Sequence, residues 1–267
     1  MVLSYGLILS SIKRDKFVSI PFSLSREILD DTAEKFLRFL RHPELKEMCK
    51  AIQVLPGYRS TYVGYRLRGN TLEQSSDEKE LFHYNEFFED FFKKEFDYGH
   101  PVLKVFIEAA RLIYTAAKET FSTVLQNLEL QFPGIYLRFF PEGQKPLFFL
   151  RFLKYNVSSK GNNIARGHYD LGACTLAIAE STPGLRMGSN NDDLALVNRQ
   201  DNNALFFPGI SMRELTSEDF TPTWHDVIQK SEQTYSTDVA RWAIVFFTDP
   251  HDMRNISTTE THTVTDY

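Results

Sequence analysis

Cysteine is nearly missing from this chain. Cys49 and Cys174 are the only two, far apart and outside any metal-type spacing. That argues against a disulfide framework and fits a reducing compartment, with the cytoplasm as the expected location. No apolar run approaches the roughly 20 residues of a membrane-spanning helix, so no membrane partner is expected. Positive charge is not in surplus: 30 Lys and Arg stand against 35 Asp and Glu, a net charge of −5. No basic stripe with interleaved aromatics stands out, which argues against nucleic acid as a partner. Internal repeats and low-complexity segments are also lacking. The opening MVLSYGLILSSIKRDKF holds a short apolar patch, but no basic residues precede it and no convincing small-x-small cleavage site follows. It reads as an early strand, not a secretion signal.

What the chain does have is apolar and aromatic mass: 42% apolar residues, 14% aromatic, and 23 Phe in 267 residues. That content builds a real core. The first half has helical texture. Ser25 is placed to cap a helix to about Arg41, with Ile28, Leu29, Ala33, Phe36, Leu37 and Leu40 at helical spacing, and His42–Pro43 ends it. Asp77–Phe96 is acidic, aromatic and partly helical. Pro101 opens a long helix to about Leu130 with a stripe through Val102, Val105, Phe106, Ala109, Leu112, Ile113, Ala116 and Ala117. From Gly134 onward, short apolar or alternating runs are broken by Gly, Pro, Asn and Asp, the texture of an antiparallel sandwich or barrel. Helices first and strands after give an α+β class. A mainly helical region, 1–133, is expected to pack on a strand-rich core, 134–267, as one integrated globular unit and a monomer.

The chemistry concentrates in Ala165–Ser181, ARGHYDLGACTLAIAES. His168 and Asp170 head an apolar, strand-like run, and residues i and i+2 on a strand point to one side. Two histidines and one carboxylate make a facial triad that leaves coordination sites of iron(II) open. Of the remaining histidines, only His225, in TPTWHDV, lies within a strand-like run, well downstream. His83 and His251 read as ordinary. Arg241 opens RWAIVFFTD, whose alternate faces, Arg241/Ala243/Val245/Phe247 and Trp242/Ile244/Phe246, are both apolar. A guanidinium entering such a buried strand requires an anionic partner. Its planar fork of donors fits a carboxylate, so it suits the anchoring of a dicarboxylate cosubstrate.

Taken in order, these segments resemble the iron(II)/2-oxoglutarate-dependent dioxygenases, in the isopenicillin N synthase-like branch. HYDLGACTL is similar to that family's HxD…TL strand, and LRFLKYN at 150–156 to its LRxNYYP strand. STPGLRM at 181–187 is similar to PGLQV, and ALFFPGISM at 204–212 stands where NxGDxL does. PTWHDV at 222–227 is similar to STxHRV, and RWAIVFFTDP at 241–250 to RxSxxFFxxP. GYR at 57–59 and DEKELFH at 77–83 look like the branch's helical N-terminal region. The resemblance implies a double-stranded β-helix, or jelly roll, buttressed by N-terminal helices. It implies His168, Asp170 and His225 as iron ligands, Arg241 on the distal carboxylate of 2-oxoglutarate, and Tyr155 as a cosubstrate contact. It further implies dioxygen as oxidant and hydroxylation, desaturation or cyclisation of a small-molecule metabolite.

The departures leave alternatives open. Ala243 replaces the serine that usually joins the arginine, a loss of about 0.5–1.5 kcal/mol for one neutral hydrogen bond. Leu153, Asn156 and Asp226 replace an asparagine, a proline and an arginine, and a small insertion lies within Val227–Ala240. An oxidase of the same fold without 2-oxoglutarate, and a non-catalytic jelly-roll binding protein, are the rival readings. Tyr155 reads equally as core packing, and Cys174 as a small core residue. Leu55–Ser76, Tyr136–Lys145 and the end of the chain are expected to shape the entrance.

Overall fold

The computed structural model describes residues 4–55, 62–68, 79–97, 99–157, 163–229 and 234–253. The motif at 57–59, part of that at 77–83, most of the expected entrance segment 55–76, part of the insertion within 227–240 and the chain's end lie outside the described residues.

The opening segment is a helix, not a strand. In α1 (Tyr5–Asp15), Ser4 Oγ accepts from Leu7 N at 3.3 Å, and Ile8, Ser11 and Ile12 are buried at helical spacing. The strand, β1 (Val18–Pro21), follows it. Next come α2 (Arg26–Leu40), with Ser25 at the N-cap position but no side-chain cap bond, and α3 (Pro43–Met48), with Pro43 in its first turn. Then β2 (Ile52–Gln53), β3 (Tyr62–Arg68), β4 (Lys79–Tyr84) and α4 (Phe88–Asp97) lead to the long α5 (Pro101–Glu129) and short α6 (Ile135–Phe139). In α5 the buried stripe runs through Leu103, Phe106, Ile107, Ala110, Ile113 and Ala117, whereas Val105 and Leu112 are exposed. The packing face is thus rotated from the one read in the sequence.

The remaining strands are β5 (Leu147–Asn156), β6 (Asn163–His168), β7 (Cys174–Glu180), β8 (Leu185–Gly188), β9 (Ala195–Leu196), β10 (Asn203–Pro208), β11 (Trp224–Ile228) and β12 (Val239–Asp249), with α7 (Ile210–Leu215) after β10. They form an eight-stranded sheet, β1-β10-β7-β12-β5-β4-β3-β2, and a four-stranded sheet, β6-β11-β8-β9. The architecture is an antiparallel jelly roll with helices on one face, an α+β fold. Its large sheet also takes β1, β2, β3 and β4 from the first 133 residues, so a boundary at 133/134 would cut through the sheet.

Strand alternation divides the core in two. Phe148, Leu150 and Phe152 of β5, with Trp242, Ile244 and Phe246 of β12, face the helices. There Phe36, Phe39, Phe82, Phe106 and Phe152 pack ring on ring with centroids 5.0–5.7 Å apart. Such pairs add about 0.5–1.5 kcal/mol each beyond area burial. The opposite faces, carrying Leu153, Tyr155, Ala177, Leu205, Phe207 and Ala243, meet Ala165, Leu185, Met187 and Val227 of the small sheet in a second cluster. The site lies on this inter-sheet side.

Candidate active site

His168, Asp170 and His225 meet at one end of the inter-sheet space. Each offers a ligand atom within 4.8 Å of the other two. His168 and His225 are directly opposite in the antiparallel β6–β11 pair, with ring centroids 4.4 Å apart. Asp170 arrives differently from the pleat expected of a single strand. β6 ends at His168, the chain turns, and β7 begins at Cys174 in the other sheet, so Asp170 sits in the crossover. Backbone bonds clamp that crossover against the turn after β10: Ile210 N donates to Asp170 O at 2.8 Å and Gly209 N to Ala173 O at 2.8 Å. Gly209 is needed there for space. A β-carbon on it would collide with Gly172 O and stand 2.7 Å from Asp170 O.

The polar atoms are arranged for a metal. Thr175 Oγ1 donates to Asp170 Oδ2 at 2.6 Å, turning Oδ1 toward the imidazoles, each Nε2 of which lies 3.7 Å from it. Backbone carbonyls take the other ring nitrogens: Arg166 O with His168 Nδ1 at 2.7 Å, Thr223 O with His225 Nδ1 at 3.2 Å. Carbonyls accept only from N–H, so both Nε2 lone pairs face the shared point. Burial first, then the neighbouring His225, pushes the His168 imidazole down to about 4, so it is neutral near pH 7. Two imidazoles and a carboxylate on one face suit iron(II) and leave positions open.

From this end a cavity runs between the sheets. Its floor on the large sheet is a ladder of cross-strand rungs. The first joins Phe207, Thr175, Phe247 and Phe149; the second joins Leu205, Ala177, Val245, Arg151 and His83. The third holds Glu180, Ala243, Leu153 and Leu81, and the last Arg241, Tyr155 and Lys79. Arg241 and Tyr155 are therefore at the far end from the triad, both buried, with the guanidinium 5.8 Å from the tyrosine ring centre. Lys79 Nζ lies 5.7 Å from the same ring. Burial pulls Arg241 down only to about 10, so it stays charged.

Several residues here escaped the sequence reading. Arg241 Nη2 pairs with Glu180, only 8% exposed, while Arg241 Nε is buried without a partner among the described residues. A register shift between Ile244 and Val245 in the β12–β7 pair sets Glu180 opposite Ala243 and hence into the cavity. Alternation along ACTLAIAE would have placed it outside. Thr175, Lys79, Arg151, Arg199 and Phe247 also line the space. None of residues 136–145 does; Tyr136, Phe140 and Lys145 border a separate surface groove beside Tyr114. Cys174 is core, in contact with Met212. Asp226, in place of an arginine, faces away and holds Arg186 across β11–β8, Nε to Oδ1 2.8 Å.

No family model matches the chain, and no curated protein does. Solved structures do. A full-length Neurospora crassa protein in complex with alpha-KG aligns over 91% of this chain and 78% of its own, with 19% identity and a TM-score of 0.69. A Caulobacter crescentus protein assigned to the 2OG-Fe(II) oxygenase family aligns over 93% and 85%, at 19% identity and a TM-score of 0.67. JOX2 in complex with 2OG, Fe and JA aligns over 94% and 74%, at 16% identity and a TM-score of 0.67.

The fold is that of the 2OG-Fe(II) oxygenases. His168, Asp170 and His225 lie at one end of the cavity and Arg241 at the other. Among the described residues, no helix is long and apolar enough to cross a membrane.

Proposed function

We propose that the protein is an iron(II)- and 2-oxoglutarate-dependent dioxygenase that oxidises a C–H bond of a small-molecule metabolite. One observation carries this reading: two Nε2 atoms and Asp170 Oδ1 converge at one end of the cavity whose other end holds a buried guanidinium. His168, Asp170 and His225 would hold the metal. Bound iron and 2-oxoglutarate supply oxidative decarboxylation of the 2-oxo acid by dioxygen, coupled to substrate C–H cleavage. The protein's own part is positional. Thr175 and the two backbone carbonyls fix the ligand atoms, and Arg241 takes the distal carboxylate through its fork. Tyr155, on the same rung, supplies a hydroxyl where Ala243 has none. The apolar walls Leu153, Ala177, Leu185, Val227 and Val245 keep water from the cosubstrate's middle.

The Arg241–Glu180 pair favours one rival, an oxidase of the same fold that does without 2-oxoglutarate, because the guanidinium already has a carboxylate beside it. Aerobic incubation with ferrous iron separates the two. Succinate release from 2-oxoglutarate, lost in Asp170→Ala and reduced at sub-saturating cosubstrate in Arg241→Leu, supports the first. Substrate-linked oxygen uptake indifferent to 2-oxoglutarate supports the second.

A further inference from the structure

The cavity holds another arginine that the reading above leaves without a task. Arg199, half-buried, comes from the connection between β9 and β10 and lines the cavity. Its Nη2 donates to Ala177 O at 3.0 Å and to Asn203 O at 2.9 Å. Ala177 and Leu205 are paired on the second rung, and Asn203 lies two residues from Leu205, toward the third. The guanidinium is thereby set on the β7–β10 flank. β7 separates it from β12, the strand of Arg241. Glu180, the carboxylate on Arg241, stands on that separating strand at the third rung.

Arg199 makes no ion pair among the described residues, and neither its Nε nor its Nη1 has a hydrogen bond there. Its charged neighbours are the exposed Asp201 and Arg26, whose Nε is bonded to Asp30 at 2.8 Å. Burial, then Arg26, pulls the Arg199 guanidinium only to about 10, so it stays charged. Arg241 differs, because Glu180 already offsets its charge. A diacid that reaches this end therefore meets a neutralised cation on β12 and an uncompensated one across β7. Carbonyl bonds hold Arg199 in place without satisfying its charge, and a cation lining an apolar cavity is stabilised by an anion. Its remaining N–H groups suit a carboxylate.

We infer that Arg199 is a binding residue for 2-oxoglutarate, taking the distal carboxylate together with Arg241 and supplying the positive charge that Glu180 offsets there. This rests on the oxygenase reading and adds a residue to its cosubstrate site. The test is anaerobic titration of the ferrous protein, read by its visible charge-transfer band. 2-Oxoglutarate is compared with 2-oxopentanoate, which has the same chelating end and carbon chain but no distal carboxylate. The proteins are wild type, Arg199→Gln, Arg199→Lys and the double variant Arg241→Leu/Glu180→Leu.

Arg199→Gln keeps an amide donor for the two carbonyls and removes the charge. It weakens 2-oxoglutarate about tenfold or more, with 2-oxopentanoate and ferrous iron kept within about twofold. Arg199→Lys recovers part of the loss. The double variant removes the ion pair as a unit and still prefers the diacid, through Arg199. Unchanged 2-oxoglutarate affinity in Arg199→Gln, an equal loss for both acids, or no diacid preference in the double variant each overturns the inference. An equal loss would make Arg199 only a clamp on Ala177 and Asn203. Should Arg199→Gln not fold, the double variant decides. Absence of the band from wild type sinks the oxygenase reading, and this inference with it. A wild-type band whose 2-oxoglutarate dependence Arg199→Gln leaves unmoved sinks this inference alone.

Discussion

Arg241 and Glu180 form an ion pair inside the cavity, their side chains 5% and 9% exposed. The pair neutralises the cation that the cosubstrate reading assigns to a diacid. Glu180→Gln is expected to destabilise the ligand-free protein by about 3–5 kcal/mol, because a buried charge loses its partner. The same change frees the fork for the diacid. Added 2-oxoglutarate therefore raises the melting temperature of Glu180→Gln more than that of wild type. Equal shifts in both proteins would show that Glu180 does not compete for Arg241.

Thr175 touches the proposed metal only through Asp170 Oδ2. Thr175→Val keeps the shape and removes the hydroxyl. Ferrous affinity is expected to drop about 10–100-fold, the usual cost of losing a group that orients a ligand. Equilibrium titration with and without a competing chelator measures it. Unchanged affinity would mean that the carboxylate is oriented by other contacts.

The triad was legible in the sequence because its parts are rare and ordered: HYD heading an apolar run, and one histidine within a later strand-like run. Arg241 was legible because a charge opening a doubly apolar strand demands a partner. The reasons others stayed hidden are tertiary. Arg151 in LFFLRFLKYN looks like an ordinary outward charge until the small sheet and Phe247 cover it. Glu180 looks like the polar end of a strand, and only a register shift brings it inward. His83 has no local signal, since its meaning lies in Arg151, 68 positions away. The opening apolar patch fitted strand or helix alike, and packing of Ile8 and Ile12 on the core decided for helix.

His83 makes stability depend on pH. Its imidazole titrates lower in the folded protein than its usual 6.5, through burial first, then Arg151 and Arg66. Between the two values the unfolded chain binds the proton and the folded one does not. Stability is therefore fully present above the unfolded pKa and is lost as pH falls from about 6.5 toward the folded value, by at most about 1.4 kcal/mol per pH unit for one proton. In His83→Gln this component disappears. Urea unfolding of the two proteins across the acid range tests it, and parallel curves would contradict it.

Gly209 buttresses the crossover that carries Asp170. Gly209→Ala places a methyl against Gly172 O and 2.7 Å from Asp170 O. A loss of about 1–3 kcal/mol is expected from overpacking, with weakened ferrous binding alongside. Urea midpoints and iron titration report the two effects. A neutral result in both would show that the turn yields without moving the carboxylate.

The central claim is that two imidazoles and one carboxylate hold a ferrous ion to which a 2-oxo acid can chelate. Anaerobic titration of the purified protein with iron(II), then with 2-oxoglutarate, tests it most directly. The account predicts one iron per chain and a visible charge-transfer band that needs both components and is missing from Asp170→Ala. Failure of the wild type to bind ferrous iron, or a band undiminished in Asp170→Ala, would contradict it.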